Sequence, residues 1–294
     1  MKWEDLKRST NVEDLRSQGS GGRFGGGRGV NLLIPIIRIL MGTTIGRIIL
    51  AVGVVAYFMG FNPLSLLDHG GSSAGTSRAV NSVEEDRSVQ FVSAVLGQTE
   101  EVWSRIYAQN GETYREPKLV LFRGSVRSGC GYADAQVGPF YCPADQKVYL
   151  DLSFFDELSR RHNAPGDFAQ AYVIAHEIGH HVQNQLGILD KVHSVQERSN
   201  KTKGNAVQVK VELQADCYAG VWAFHTQKER AVLEEGDIEE ALNAASQIGD
   251  DTLQKQSQGY VVPDAFTHGT SAQRMEWFKR GFDKGTLEAC NTGV

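Results

Sequence analysis

The sequence predicts an α+β domain with a small sheet and a helical half, preceded by one transmembrane helix. Three observations predict it: strand-like segments in the middle of the chain, segments of helical periodicity after them, and an apolar run near the N-terminus. The chain has 294 residues, of which 41% are hydrophobic, enough for one sizeable folded domain. Its net charge of −5 lacks the basic excess of nucleic-acid-binding proteins, so we expect no nucleic-acid partner.

The N-terminal part divides into three predicted regions before the folded domain. Residues 1–30 are polar and then Gly-rich, with too few apolar side chains for a core, which predicts a disordered cytoplasmic tail. Residues 31–67 form the predicted transmembrane anchor region, and residues 39–61 of it are expected to contact the lipid bilayer. Residues 68–82, rich in Gly, Ser and Ala, are the predicted flexible linker to a folded domain at residues 83–294.

The orientation of the predicted anchor follows from its flanking charges. The unbroken apolar run at residues 48–61 is shorter than the roughly 20 residues that cross a bilayer, so Arg47 has to reach back to the interface. Arginines precede the run and Asp68 follows it, so the positive-inside rule places the N-terminus in the cytoplasm and the folded domain outside. A cleaved signal peptide and a buried core helix are the alternatives.

Each element of the folded domain has its own local signal. An amphipathic helix is predicted after Ser88, with an apolar face that runs from Phe91 to Ile106. Residues 118–122 and 147–152 have the composition of strands, and residues 137–141 predict a short third strand. Helical segments are then predicted, beyond those that hold the motifs described below, at residues 154–161, 237–256 and 271–282.

The most informative segment is A-H-E-I-G-H-H-V-Q-N, which contains His176, Glu177 and His180 in the pattern H-E-x-x-H. Apolar residues recur around it at three- and four-residue steps, which predicts a helix with Asp167 as N-cap and Gly187 beyond its end. Residues four apart share one face of a helix, so the two imidazoles can bind one Zn²⁺ while Glu177 lies beside the open position.

A catalytic zinc site of this kind needs a third protein ligand. The position six residues after His180, which is histidine in metzincins, is Leu186 here. Beyond a polar loop at residues 197–205, the segment V-K-V-E-L-Q-A-D places Glu212 and Asp216 four apart on a predicted helix. We interpret Glu212 as the third ligand and Asp216 as the acceptor for the free N–H of a ligand imidazole, with His176 as the favoured partner. The alternative is that both are solvated charges on a helix surface.

These motifs resemble a known family. H-E-x-x-H followed by E-x-x-A-D is similar to zincins with a glutamate ligand, and the wider text, from K-W-E-D through G-P-F-Y-C-P-A-D to A-H-E-I-G-H-H-V-Q, resembles the bacterial putative neutral zinc metallopeptidase family. The resemblance covers nearly the whole chain. It implies a zincin-like metallopeptidase domain at residues 83–294, with His176, His180 and Glu212 as ligands of one Zn²⁺ and Glu177 as catalytic base. Natural substrates are generally unknown for this family, so the resemblance leaves the substrate open.

The predicted function is a membrane-anchored zinc endopeptidase of the bacterial inner membrane, with its catalytic domain in the periplasm. In the predicted reaction, zinc lowers the pKa of its bound water towards about 7 and Glu177 accepts the proton. His268 is the candidate that stabilises the oxyanion, the alternative being a capping or surface residue. A peptide or protein substrate would pair with the strand edge at residues 138–142 or 148–152. The alternative functions are a zinc-binding membrane-tethered scaffold with little proteolytic activity and a zinc hydrolase that acts on other substrates.

Four cysteines fit an oxidising compartment. We expect one disulfide between Cys130 and Cys142, and another between Cys217 and Cys290 that ties the C-terminal tail to the active-site helix. The spacing has no C-x-x-C element, which argues against a cysteine zinc site. Buried unpaired thiols are the alternative.

Overall fold

The computed structural model describes residues 1–18, 82–134 and 137–294. These residues form a mostly helical α+β fold with two small sheets, which confirms the predicted class. The predicted anchor region at residues 31–67 and nearly all of the linker at residues 68–82 lie outside the described residues. Within the described ranges, none of the helices combines the length and the apolar character needed to span a bilayer.

The larger sheet has four strands, and its order places one short strand at an edge. Strands β1 (Val12–Asp14), β2 (Lys118–Phe122) and β6 (Lys147–Asp151) are parallel neighbours, and β5 (Phe140–Cys142) pairs antiparallel with the far side of β6. In β2 and β6 four of the five residues are buried, because both faces of these inner strands are covered. A separate hairpin contains β3 (Ser125–Ser128) and β4 (Gly131–Asp134).

Helices supply the rest of the core. The predicted apolar face of the first helix is buried, although the helix begins six residues before Ser88. In chain order the helices are α1 (Ser82–Gln109), α2 (Ser153–Arg160), α3 (Asp167–Gln185), α4 (Ile188–Glu197), α5 (Lys201–Arg230), α6 (Asp237–Gln247), α7 (Asp250–Gln258) and α8 (Ser271–Lys284).

Helices α5 and α8 cross at two glycines. A Cβ on Gly220 would overlap the carbonyl oxygen of Phe278, and a Cβ on Gly281 would overlap the carbonyl oxygen of Cys217. Any side chain at either position would therefore push the two helices apart. This close crossing brings Arg274, on the first turns of α8, against Asp216 of α5.

Residues 1–18 are folded, which corrects the prediction of a disordered tail for that part of residues 1–30; the other residues of that range lie outside the described residues. Trp3 and Leu6 are buried in the main core, and β1 adds a parallel strand to β2. Strands that pair must lie in one compartment, so residues 1–18 and the folded domain are on the same side of any membrane. The predicted single-pass topology, with the N-terminus and the catalytic domain on opposite sides, is therefore wrong. The few apolar residues of this segment complete a core that other elements build, which the local composition did not indicate.

Two predicted helix boundaries also change. The helix predicted at residues 237–256 is two helices, α6 and α7, because the backbone of Gly249 between them is extended, with φ −72° and ψ 146°. A Cβ on Gly249 would lie only 2.5 Å from the backbone nitrogen of Ser271, so the two segments pack closely there. The polar loop predicted at residues 197–205 is shorter, since the side chain of Asn200 caps α5 by accepting a hydrogen bond from the backbone N–H of Lys203.

Both predicted disulfides are present. Cys130–Cys142 joins the turn of the β3–β4 hairpin to the edge strand β5. Cys217–Cys290 joins α5 to a 3₁₀ turn near the C-terminus. All four cysteines lie in the described part of the chain and all four are paired, which excludes the alternative of free thiols.

Candidate metal centre

Helix α3 carries the H-E-x-x-H residues. It begins at Asp167 with Gly166 as N-cap, one residue away from the predicted cap, and Gly187 adopts the left-handed conformation beyond its end. His176 and His180 lie on one face with their ring centroids 4.9 Å apart. The local periodicity therefore predicted the side of the helix on which both imidazoles lie.

Helix α5 brings Glu212 to these imidazoles. Its Oε2 atom lies 3.2 Å from His176 Nε2 and 3.4 Å from His180 Nε2, while Oε1 accepts a hydrogen bond of 2.8 Å from Gln208. Each of the three residues offers a ligand atom within 4.8 Å of the others, so they form a group that could hold a metal ion. Two imidazoles and one carboxylate are a known donor set of three-ligand catalytic zinc sites, so these residues fit zinc.

A glycine between the two histidines lets α3 and α5 approach. A Cβ on Gly179 would lie 3.0 Å from the carbonyl oxygen of Ala215 and 3.1 Å from its Cα. Ala215 follows Glu212 by three residues, almost one turn of α5. The small residues at this contact therefore set how near the Glu212 carboxylate comes to the imidazoles.

Asp216 lies behind His176 and has no exposed surface. Its Oδ1 is 2.7 Å from His176 Nδ1, so the contact expected from the spacing exists in the structure. Tyr172 donates a hydrogen bond of 2.5 Å to the same oxygen. Arg274 donates to both carboxylate oxygens, at 2.8 and 2.9 Å. That Asp216 orients a zinc ligand stays a prediction.

The charges of this cluster explain its ionisation. Burial alone would raise the pKa of Asp216, but the opposite effect of Arg274 and His176 is larger and brings it down to about 2. The carboxylate is therefore ionised at neutral pH. Burial lowers the pKa of His176, yet Asp216 and Glu212 raise it to about 10. Burial raises the pKa of Glu212, and His180 and His176 bring it well below its usual value. The carboxylates of Asp216 and Glu212 thus stabilise a positive charge at the site between them.

A cavity of about 580 Å³ opens over the candidate ligands. Strand β5 contributes Phe140 and Tyr141 to its wall, and α3 contributes His176 and Glu177. Mostly apolar walls with a few converging polar groups are typical of ligand sites. Its apolar lining includes Phe154, Val173, Leu189, Val192, Val211 and Leu253.

Glu177 lines this cavity and is buried. Burial raises the pKa of its carboxyl group, and the neighbouring His180 and His176 only partly oppose that effect. No hydrogen bond joins its carboxylate to another residue within the described ranges. A carboxylate with a raised pKa and free oxygen atoms is suited to accept and return a proton near neutral pH.

His268 lies in the loop that precedes α8 and lines the same cavity as His176. Asp250 holds this loop, because its Oδ2 accepts hydrogen bonds from the backbone N–H groups of Thr267, His268 and Gly269. Its Oδ1 lies 3.2 Å from His268 Nδ1, which leaves Nε2 available to a molecule in the cavity. The structure brings His268 to the cavity; its role at an oxyanion stays a prediction.

His181 follows His180 directly but does not join the candidate ligands. Its Nε2 lies 2.6 Å from the carbonyl oxygen of Arg115, and its Nδ1 lies 3.0 Å from the hydroxyl of Tyr141. His181 therefore holds the edge strand β5 against α3.

Sequence analysis missed Arg274 and Gln183 as residues of this site. Gln183 lies one turn after His180 and its Oε1 is 2.8 Å from His180 Nδ1, so helical spacing contained a signal for it. Arg274 is 58 residues from Asp216, and no local pattern joins them. Only the crossing of α5 and α8 shows this ion pair.

Comparison with known proteins agrees with the geometry. The family model described as putative neutral zinc metallopeptidase matches residues 1–293. The uncharacterized protein YpfJ of Escherichia coli (strain K12) is 49% identical over 292 residues, which cover 99% of this chain and 98% of that protein. The uncharacterized protein Rv2575 of Mycobacterium tuberculosis (strain ATCC 25618 / H37Rv) is 39% identical over 241 residues, 78% of this chain and 79% of that protein. No solved structure matches the chain. A family model that spans nearly every residue, together with a cluster of donor atoms that fits the metal in the family's name, shows that this chain belongs to the putative neutral zinc metallopeptidase family.

Proposed function

We propose that this protein is a zinc-dependent endopeptidase with a zincin-like catalytic domain. The observation that carries the proposal is the convergence of His176, His180 and Glu212 on one point of a cavity that Glu177 also lines. A structural zinc site would use four protein ligands, whereas this group offers three. A zinc ion held by these three residues would keep a position for water or substrate, and all three residues line the cavity.

Zinc held by these three residues would supply Lewis-acid activation of water and of the scissile carbonyl. Glu177 accepts the proton of the attacking water and returns it to the leaving amine. Asp216, held by Arg274 and Tyr172, accepts the Nδ1 proton of His176 and keeps the Nε2 lone pair directed at the ligand cluster.

His268 is the proposed hydrogen-bond donor to the oxyanion that develops on the scissile carbonyl. Its Nδ1 lies 3.2 Å from the carboxylate of Asp250, which leaves Nε2 as the ring nitrogen that would contact the oxyanion. Since half of the His268 side chain is exposed, it can move towards a bound substrate.

The substrate is proposed to be an extended peptide that adds a strand to β5. Sequence analysis left two edges open, residues 138–142 and residues 148–152. Strand β6 lies between β2 and β5, so its backbone groups are already paired and the second candidate is wrong. Strand β5 pairs on one side with β6 and borders the cavity with Phe140 and Tyr141.

We propose that the catalytic domain works outside the cytoplasm of a bacterium. The two disulfides support an oxidising compartment. Residues 1–18 share the core of the domain, so they are proposed to lie in the same compartment. The proposal keeps the contact of residues 39–61 with the bilayer. It places both ends of this segment on the same side of the membrane as the catalytic domain.

The test uses the full chain, because removing residues 1–18 would open the core. Zinc content by elemental analysis and cleavage of an unfolded protein are measured for wild type, Glu177→Gln and the exposed control Glu276→Gln. We expect one zinc per chain in all three, and cleavage slowed by roughly 10²- to 10⁴-fold in Glu177→Gln only. Zinc without cleavage in wild type would favour the scaffold alternative, and absence of zinc from metal-replete protein would refute the site.

A further inference from the structure

The two candidate histidine ligands are held from behind by different chemistry. His176 Nδ1 faces the carboxylate of Asp216, which is itself paired with Arg274. His180 Nδ1 instead faces the amide oxygen of Gln183, at 2.8 Å. A charged pair therefore orients one imidazole and a neutral amide orients the other.

The orientation of the Gln183 amide follows from its other neighbours. One atom of the amide lies 2.7 Å from the carbonyl oxygen of Val211. A carbonyl can only accept, so this atom is the amide nitrogen and the atom that faces His180 is the oxygen. The oxygen must accept, so His180 carries its proton on Nδ1. Its Nε2 lone pair is then directed to the cluster with Glu212.

A second amide holds the first. The Gln183 nitrogen also donates to Oε1 of Gln214 at 3.0 Å, and the Gln214 nitrogen donates to the carbonyl oxygen of Cys290 at 3.1 Å. The Cys290 carbonyl can only accept, so the atom of the Gln214 amide that faces it is the nitrogen. Cys290 is joined to Cys217 on α5, so the acceptor at the end of the chain of hydrogen bonds is covalently held.

We propose that Gln183 is the positioning residue of His180, and that Gln214 and the Cys290 carbonyl fix the orientation of Gln183. The inference rests on the proposed function, because it needs His180 to be a metal ligand. Gln183 and Gln214 are 0% and 5% exposed. Burying two amides costs free energy unless each group is paired, and an apolar side chain of equal length would fill the space without that requirement. Orientation of His180 is what the amides add.

The test replaces Gln183 with methionine in the full chain, which keeps the length of the side chain and removes the acceptor. The matched control is Gln185→Met, two residues further along α3, whose amide contacts the backbone of Arg115 and Nε2 of His181 and none of the candidate ligands. Zinc dissociation constants are measured by competition with a chelator. We expect a roughly 10- to 100-fold weaker affinity in Gln183→Met and less than a twofold change in Gln185→Met.

A double-mutant cycle tests the second amide. Gln214→Met is expected to weaken zinc binding less than Gln183→Met, because the Val211 carbonyl still holds the first amide. The double variant Gln183→Met/Gln214→Met is expected to match Gln183→Met alone, since Gln214 acts through Gln183. Additive losses of zinc affinity in the double variant would overturn the proposal that Gln214 acts through Gln183.

One measurement on wild type does not depend on how the variants fold. Nitrogen-15 NMR of the histidine side chains in zinc-loaded protein should show a proton on Nδ1 of His180. A His180 without that proton, or equal zinc affinity in Gln183→Met and wild type, would overturn the inference. Wild type that binds no zinc would instead refute the proposed function, so the two failures are distinguishable.

Discussion

Replacing Gly179 with alanine tests whether the approach of α3 to α5 sets the geometry of the metal centre. The new Cβ would lie 3.1 Å from Ala215 Cα, against about 3.5 Å for a relaxed carbon–carbon contact, so the helices must separate by about 0.4 Å. Distances in metal sites lie within about 0.2 Å of their typical values, which sets the tolerance assumed for this site. Because Glu212 lies almost one turn before Ala215 on α5, its carboxylate would move by more than that tolerance relative to the imidazoles on α3.

We therefore expect two effects of Gly179→Ala. Overpacking should lower the free energy of unfolding of the metal-free protein by about 1–3 kcal/mol. Zinc affinity should fall by roughly 10- to 100-fold, equivalent to about 1.4–2.8 kcal/mol. Unfolding in urea measures the first effect, and competition with a chelator measures the second.

Gly204→Ala on α5 is the matched control. The nearest atom to its Cβ outside the local helix is Gln196 Cγ at 4.0 Å, so the methyl group has space. Alanine in a helix interior should raise the free energy of unfolding by about 0.5–1 kcal/mol and leave zinc affinity unchanged. Wild-type zinc affinity in Gly179→Ala, together with the expected loss of stability, would refute the reasoning, because the site would then tolerate the separation.

Two further predictions concern buried charged groups. Arg274→Met should lower the free energy of unfolding by about 3–5 kcal/mol, because it leaves the Asp216 carboxylate buried without its cation; urea unfolding that matches wild type would contradict this. Burial raises the pKa of Glu100 in the folded protein above its value in the unfolded chain. At pH values above this pKa, the buried ionised carboxylate lowers the free energy of unfolding, and the loss disappears as the pH falls and the group is protonated in both states. Glu100→Gln keeps an acceptor for Ser9 and Asn11 and should therefore be more stable than wild type at pH 7 and no more stable at pH 4; urea unfolding curves that stay equal at both pH values would contradict it.

The sequence alone determined the features that depend on neighbouring residues. Helical spacing placed His176 and His180 on one face of α3, and the same spacing paired Glu212 with Asp216 on α5. Strand composition predicted β2 and β6. These predictions succeed because a residue's face and its element follow from the backbone geometry of a few adjacent turns. The wider text around the pentad resembled one family, and the family model that matches residues 1–293 confirms this prediction.

Tertiary structure alone decided which distant elements complete the site. Arg274 reaches Asp216 because Gly220 and Gly281 let α5 and α8 cross, and β5 becomes an edge strand of the larger sheet because β6 takes the inner position. The N-terminal strand was missed because it fills a gap in a core that other elements build. Such contacts depend on the packing of surfaces far apart in the chain, and local periodicity has no information about which surfaces meet.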